Sequence, residues 1–188
     1  CPSAAFRRPP VSQERSIAVL ARNETIFKWA LYAAAALLCF LVQGAVLQRL
    51  TIWGVIPFVY PVIAAVVAAY EGSTAGTIFA LALGVVCDTL VPESIPCFYT
   101  LIFPAAGLCA ALISQSLIKA GYLCSLVSSA VAFLLTGFFH CLVFWAQGHS
   151  VWATGGYLMV RELCVSLLLS IPATALFSAV YRKTHMDD

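Results

Sequence analysis

The sequence predicts an all-α membrane protein, a bundle of six transmembrane helices with both termini on the cytoplasmic side. Of its 188 residues, 62% are hydrophobic and 10% are charged, and the mean hydropathy is +0.97. Soluble domains carry roughly 45–50% apolar and about 25% charged residues, so this composition excludes a water-soluble globule. The formal net charge of +2 is too small to indicate a nucleic-acid partner. The expected surroundings are the lipid bilayer.

Six apolar runs account for most of the chain. A helix crosses the hydrocarbon with about 20 mostly apolar residues, and such runs occur at 29–47, 50–70, 73–91, 97–118, 122–146 and 157–181. They are too long for barrel strands, which alternate over about 10 residues. We therefore expect a disordered N-terminal tail at 1–28, a transmembrane domain at 29–183 and a C-terminal tail at 184–188.

The basic residues predict the orientation. Eight of them fall on one side of the predicted topology: Arg7, Arg8, Arg15, Arg22, Lys28, Lys119, Arg182 and Lys183. Arg49 and Arg161 fall on the other side. Because Lys and Arg are enriched in cytoplasmic loops, this asymmetry predicts a multi-pass protein with both termini inside.

Ionisable residues at membrane depth mark candidate sites, because each costs about 2.5–3.5 kcal/mol at a helix centre. Asp88 lies near the outer end of the third predicted span, and Arg161 lies about one turn into the sixth from the same side. Their similar depth predicts an ion pair, which either sets the helix neighbours or forms a ligand site in an outward-facing cavity. Glu162 is expected at the outer headgroups, and Glu71 in a hydrated inner turn.

A row of small residues indicates close helix packing. It starts at Gly72 and continues at four-residue spacing with Gly76, Ala80 and Gly84. Small residues at this spacing let helix backbones approach closely in lipid. The row predicts that the third span is the central helix of the bundle.

No constellation typical of an enzyme is present in the sequence. There is no HExxH motif, no Gly-rich phosphate loop and no Asp-rich metal motif. His140 and Cys141 are adjacent on a predicted helix and point about 100° apart, so they cannot share a proton. The cysteines within spans form no CxxC pair and are expected to pack as small hydrophobes. We expect no catalytic activity, metal or cofactor.

The order of features over residues 29–117 resembles the MreD family, the small membrane component of the bacterial rod-shape (elongation) machinery. The family pattern is a span ending near Gln, a Gly-x-x-Pro turn, Glu-Gly, and then Gly followed by Gly-x-x-x-Asp. The matching positions here are the end of the first span at 41–50, which contains Gln43 and Gln48, then Gly54 to Pro57, Glu71-Gly72, Gly76, Gly84 and Asp88. The loop after Asp88, residues 91–97, departs from the short Gly-rich loop that is usual in the family.

This resemblance implies a non-catalytic scaffold in the bacterial cytoplasmic membrane. The scaffold would bind an MreC-like partner that has one membrane span and an extracytoplasmic domain. Through that partner it would support the cell-wall synthase pair and the actin-like filament that direct lateral peptidoglycan synthesis and cell shape. The partner-binding residues expected from this reading are Glu71, Asp88, Arg161 and Glu162.

A different class of protein remains open. Substrate-binding subunits of energy-coupling-factor vitamin transporters have a similar size, six helices and both termini inside. They dock through small residues on the first helix, and this chain has Ala30 and Ala34 at that spacing. A vitamin site would need polar and aromatic side chains at the outer ends, where the sequence offers Asp88, Tyr99, His149, Trp152, Tyr157, Arg161 and Glu162.

Overall fold

The computed structural model describes residues 11–49, 51–52, 54–91, 95–116, 121–148 and 154–184. Within these residues the chain forms six α-helices: α1 (Val11–Ala45), α2 (Tyr60–Glu71), α3 (Ser73–Leu90), α4 (Phe98–Ser116), α5 (Tyr122–Ala146) and α6 (Thr154–Thr184). A short 3-10 helix, Leu47–Arg49, follows α1. All helices except α2 are long and apolar enough to cross a membrane. The predicted all-α membrane bundle is confirmed.

The helix at the centre of the bundle is α2, not α3. Every side chain from Tyr60 to Ala69 is buried, and α2 contacts α3, α4, α5 and α6. In α3, by contrast, Ile78, Leu81 and Val85 are exposed to the surroundings of the bundle. The prediction of a central third span was therefore wrong. The small-residue row marks one closely packed face, and a single such face does not surround a helix with neighbours.

The second predicted span, 50–70, is helical only in its second half. Helix α2 has 12 residues and is about 18 Å long, well short of the roughly 30 Å hydrocarbon core. The preceding chain makes a tight turn, in which Ile52 and Val55 form an isolated antiparallel bridge and Gly54 has a φ of +76°. Pro61 lies in the first turn of α2, where a missing N–H is tolerated. A helix could not continue backwards through it without losing a hydrogen bond.

The N-terminal segment corrects a second expectation. The predicted disordered tail, 1–28, is helical from Val11 onward and continues without a break into the first span. Residues 11–28 contain neither Gly nor Pro, so nothing in them ends the helix before the membrane. Residues 1–10 and 185–188 lie outside the described residues.

Two ends of the bundle can be defined by their acidic residues. The Glu71 end contains the α2–α3 turn, and the Asp88 end contains the last turn of α3. Helix α1 runs along the outside of the bundle and contacts α6. Near the Glu71 end its Tyr32 ring lies 6.2 Å from the Phe177 ring of α6, and its Trp29 ring lies 6.2 Å from the Phe79 ring of α3.

Candidate functional site

The carboxylate of Asp88 binds the N-terminus of α4. Its Oδ1 accepts a hydrogen bond from the backbone N–H of Tyr99 at 2.9 Å, and its Oδ2 accepts one from the backbone N–H of Thr100 at 2.9 Å. The Thr100 hydroxyl also donates to Oδ2. The first N–H groups of a helix have no partner within it and carry partial positive charge. Asp88 therefore provides acceptors for two free N–H groups at the start of α4, and these donors stabilise its negative charge at membrane depth.

Gly84, one turn before Asp88, allows this contact. A Cβ on Gly84 would lie 2.6 Å from the Tyr99 carbonyl oxygen and 2.8 Å from the Thr100 Cα. Real Cβ atoms essentially never approach other atoms this closely. The first turn of α4 therefore rests directly on the backbone of α3, and any side chain at residue 84 would push the two helices apart.

The rest of the small-residue row packs on two neighbours of α3. A Cβ on Gly76 would lie 2.3 Å from the Cα of Ala68 in α2. Further along the row, the Ala80 Cβ would lie 3.1 Å from a Cβ added to Gly107 of α4. At the start of the row, Gly72 has a φ of +84° and forms the turn between α2 and α3. The row thus supplies both a turn and a packing face.

Gln43 holds the non-helical segment that precedes α2. Its Nε2 donates to the Pro57 carbonyl at 2.6 Å, and its Oε1 accepts from the Val59 N–H at 3.2 Å. The amide is 2% exposed. Pro61 has no N–H, so it cannot satisfy the Pro57 carbonyl four residues earlier as a helix would. Gln43 replaces that donor, as non-helical backbone within a membrane requires.

A second side chain, from α6, completes this segment. The backbone N–H of Phe58 donates to the Ser166 hydroxyl at 3.3 Å, and Ser166 is fully buried. Residues 57, 58 and 59 therefore each have a backbone group bonded to a side chain of α1 or α6. The non-helical residues 57–59 are thus hydrogen-bonded to both α1 and α6.

Glu71 is turned into the protein at the opposite end. Its Oε2 lies 2.6 Å from the Lys28 Nζ, and its Oε1 accepts a hydrogen bond from the Tyr32 hydroxyl at 2.8 Å. The Glu71 side chain is 6% exposed. The expected hydrated carboxylate is instead a paired one that joins the end of α2 to α1.

The predicted ion pair between Asp88 and Arg161 does not form in the described part of the chain. Asp88 is bonded to the start of α4, as described above. The Arg161 guanidinium lies 5.4 Å from the centroid of the Tyr157 ring, and its Nη2 is 3.5 Å from the Cβ position of Gly54. Similar depth in the membrane does not make two residues neighbours, because it says nothing about their lateral positions.

Glu162, which was expected at the headgroups, lines a small cavity between α5 and α6. His140, Thr136, Met159 and Phe58 also line it. Its volume is about 10 Å³, at the lower limit for a single water molecule. His140 stacks on Phe98, with ring centroids 4.5 Å apart. Of the residues named for the vitamin-subunit alternative, the cavity lining includes Glu162, and the space is far below that of a vitamin.

The described residues offer no metal-binding group of three His, Cys, Asp or Glu side chains. The seven cysteines that the structure describes form no disulfide bonds. His149 and Trp152, which the sequence places in the longest outer loop, lie outside the described residues. Comparison of this chain with protein-family models, curated proteins and solved structures gives no match.

The sequence did not predict the hydrogen-bond and ion-pair partners of Asp88 and Glu71. The partners of Asp88 are backbone amides and Thr100, and those of Glu71 are Lys28 and Tyr32. A hydropathy pattern contains no signal for backbone amides. The position of Gln43, four residues inside the end of the first run, was a usable signal, since a buried amide needs a partner.

Proposed function

We propose that this chain is a non-catalytic membrane scaffold of the bacterial rod-shape machinery, which binds an MreC-like partner and supports lateral peptidoglycan synthesis. One observation carries the proposal. The polar residues of the motif, Gln43, Glu71 and Asp88, all make contacts that hold the bundle together. A motif used in this way favours a rigid framework over a reaction centre.

The same proposal implies a membrane and an orientation for the chain. The chain lies in the bacterial cytoplasmic membrane with both termini inside, so the Glu71 end faces the cytoplasm and the Asp88 end faces outward. The Lys28–Glu71 pair is then at the cytoplasmic interface, where basic residues are favoured. This orientation presents the Asp88 end to the extracytoplasmic domain of the partner.

Two of the four residues expected to bind the partner are engaged in contacts within the chain. Glu71 and Asp88 are already bonded within the chain, so neither is available to a partner without breaking a contact. The exposed face of α3 is apolar and includes Ile78, Leu81 and Val85. We propose that the single span of the partner packs on this face.

The vitamin-binding alternative needs a pocket at the Asp88 end. Ligand pockets are typically about 300–1,000 Å³ in size. The cavity beside His140 and Glu162 accommodates one water molecule at most. A groove of about 160 Å³ between α1 and α6 is also smaller than this range, and its lining is apolar, so the cavities formed by the described residues support the scaffold better than the transporter subunit.

The test is affinity purification of the tagged full chain from native membranes in mild detergent, with companions identified by mass spectrometry. Recovery of an MreC-like protein with cell-wall synthases supports the proposal. Val85→Trp, on the proposed partner face, should reduce this recovery, whereas Leu123→Trp on the equally apolar surface of α5 should not. Recovery of a transmembrane coupling subunit with two ATPases would overturn the scaffold in favour of the transporter.

A further inference from the structure

An apolar groove opens on the side of the bundle between α1 and α6. Its volume is about 160 Å³. The walls come from four parts of the chain, and include Leu38, Val42, Leu47, Val59, Leu169 and Pro172. At the level of Tyr32 and Phe177 the rings of the two helices are stacked. The groove lies further toward the Asp88 end, where Pro172 and Ala173 offer only small side chains between them.

Two arginines lie above this groove, at the Asp88 end of the elements that form it. Arg49 is two residues beyond Leu47, and Arg161 is two helical turns before Leu169 on α6. Arg49 is exposed and Arg161 is half-buried. The ion pair that the structure shows among the described residues, Lys28–Glu71, involves neither guanidinium. The structure therefore places two cations toward the Asp88 end of an apolar groove on the side of the bundle.

We propose that this groove is a binding site for one anionic phospholipid. The lipid phosphate binds between Arg161 and Arg49, and one acyl chain descends into the groove. Basic pockets between transmembrane helices are a recurring means of binding anionic headgroups. The inference does not depend on the scaffold function.

The depth of the groove agrees with a lipid in one leaflet. At 1.5 Å per residue, Leu169 lies about 12 Å and Pro172 about 17 Å below Arg161 along α6, and Val42 lies about 5 Å below the end of α1. One leaflet contributes roughly 15 Å of hydrocarbon. A phosphate at the level of the arginines therefore places its acyl chain beside Leu169, with the chain end near Pro172.

A transmembrane helix of a partner is a poorer occupant. On α1 the groove extends from Leu38 to Val42, which is about 6 Å of helix, and on α6 it extends from Leu169 to Leu176, which is about 10 Å. A packed helix is about 10 Å wide and would need a furrow along most of the roughly 30 Å core. An acyl chain is thin and flexible enough for a short slot, and an anionic headgroup matches the two arginines.

The experiment measures lipid binding to the purified full chain in detergent by native mass spectrometry. Phosphatidylglycerol is titrated against phosphatidylethanolamine with the same acyl chains, and glycerol phosphate serves as a headgroup without chains. We expect phosphatidylglycerol to bind at least tenfold more tightly than phosphatidylethanolamine. Near a membrane surface each Lys or Arg is worth roughly a fivefold change in affinity for anionic lipid, so Arg49→Gln with Arg161→Gln should weaken phosphatidylglycerol binding about thirtyfold.

Matched variants separate the headgroup from the acyl chain. Val42→Phe fills the groove and should weaken both lipids, whereas Leu41→Phe, on the adjacent exposed position, should weaken neither. Arg182→Gln with Lys183→Gln removes the same charge at the opposite end and should have no effect. If the double arginine variant does not fold, Arg49→Gln alone, at an exposed position, gives the same comparison.

The proposal fails if the arginine variants bind phosphatidylglycerol as the parent does, or if Val42→Phe has no effect. Equal affinity for the two phospholipids would show a nonselective apolar slot and also overturn it. Tight binding of glycerol phosphate would indicate a phosphate site without an acyl chain and would overturn the lipid assignment.

Discussion

The carboxylate of Asp88 joins α3 to α4 through Thr100, because one oxygen, Oδ2, accepts from both the backbone N–H and the hydroxyl of that residue. Among the described residues, this carboxylate is thus held by a helix N-terminus and a hydroxyl. Because the donors are largely backbone groups, the contact depends on how closely α4 approaches α3. The position of α4 and the charge of Asp88 therefore stabilise each other.

Replacement of Asp88 by Asn should destabilise the bundle. The Asn side chain has one accepting oxygen and an NH₂ group that would face the N–H groups of α4. Loss of an N-capping carboxylate costs about 0.5–2 kcal/mol, and hydrogen bonds to a charged group contribute about 1.5–3 kcal/mol. Thermal unfolding in detergent measures the effect. Thr89→Ala, at the adjacent exposed position, is the control, and an equal melting temperature for the two variants would contradict the cap.

The sequence identified Asp88 as unusual but assigned it the wrong partner. Its depth could be read from the span boundaries, and Arg161 was the available cation at that depth. The orphan N–H groups of α4 do not appear as charges in a sequence, so a helix terminus was not considered. The small-residue row, in contrast, is a matter of spacing, and Gly76 and Gly84 do lie where helices approach most closely.

Gly84→Ala and Gly44→Ala should have opposite effects on stability. A Cβ at residue 84 meets backbone atoms of α4 at 2.6–2.9 Å, so the helices must separate, which costs about 1–3 kcal/mol. A Cβ at residue 44 of α1 meets nothing within 4 Å, and Ala is favoured over Gly in a helix by about 1 kcal/mol. Unfolding of both variants in the same detergent is the measurement. Two shifts of the same sign would refute the close approach of α3 and α4.

Replacement of Ser125 by Ala should be tolerated or slightly stabilising. The Ser125 hydroxyl is buried and has no hydrogen-bond partner among the described residues. An unsatisfied buried polar group costs about 1–3 kcal/mol, so its removal relieves a penalty. Ser129→Ala is the comparison, because that hydroxyl donates to the Ser125 carbonyl at 2.7 Å. We expect a higher unfolding temperature for Ser125→Ala than for Ser129→Ala, and the reverse order would contradict this.

The number of apolar runs could be predicted from the sequence, but the non-helical segment before α2 was harder to predict. Hydropathy gave a continuous apolar run at 50–70, and apolar composition does not distinguish a helix from extended chain. Pro57 and Pro61 did carry the signal, since Pro61 cannot bond to the Pro57 carbonyl. What could not be predicted was which side chain would satisfy that carbonyl. Gln43 and Ser166 reach this segment only through the packing of α1 and α6 around it.

Gln43→Leu should therefore destabilise the protein. Leu has a similar size, but it leaves the Pro57 carbonyl and the Val59 N–H without partners, and each unsatisfied buried group costs about 1–3 kcal/mol. Gln43→Glu is the informative companion. An ionised carboxylate still accepts from the Val59 N–H but cannot donate to the Pro57 carbonyl, so at alkaline pH, where this carboxyl is ionised, it should recover little of the loss.

Gln48→Leu, in the exposed 3-10 turn, should change stability by less than about 0.5 kcal/mol. The measurement is thermal unfolding in detergent, with membrane accumulation of each variant as a second readout. Equal stability of Gln43→Leu and Gln48→Leu would mean that the segment before α2 is held without the Gln43 amide.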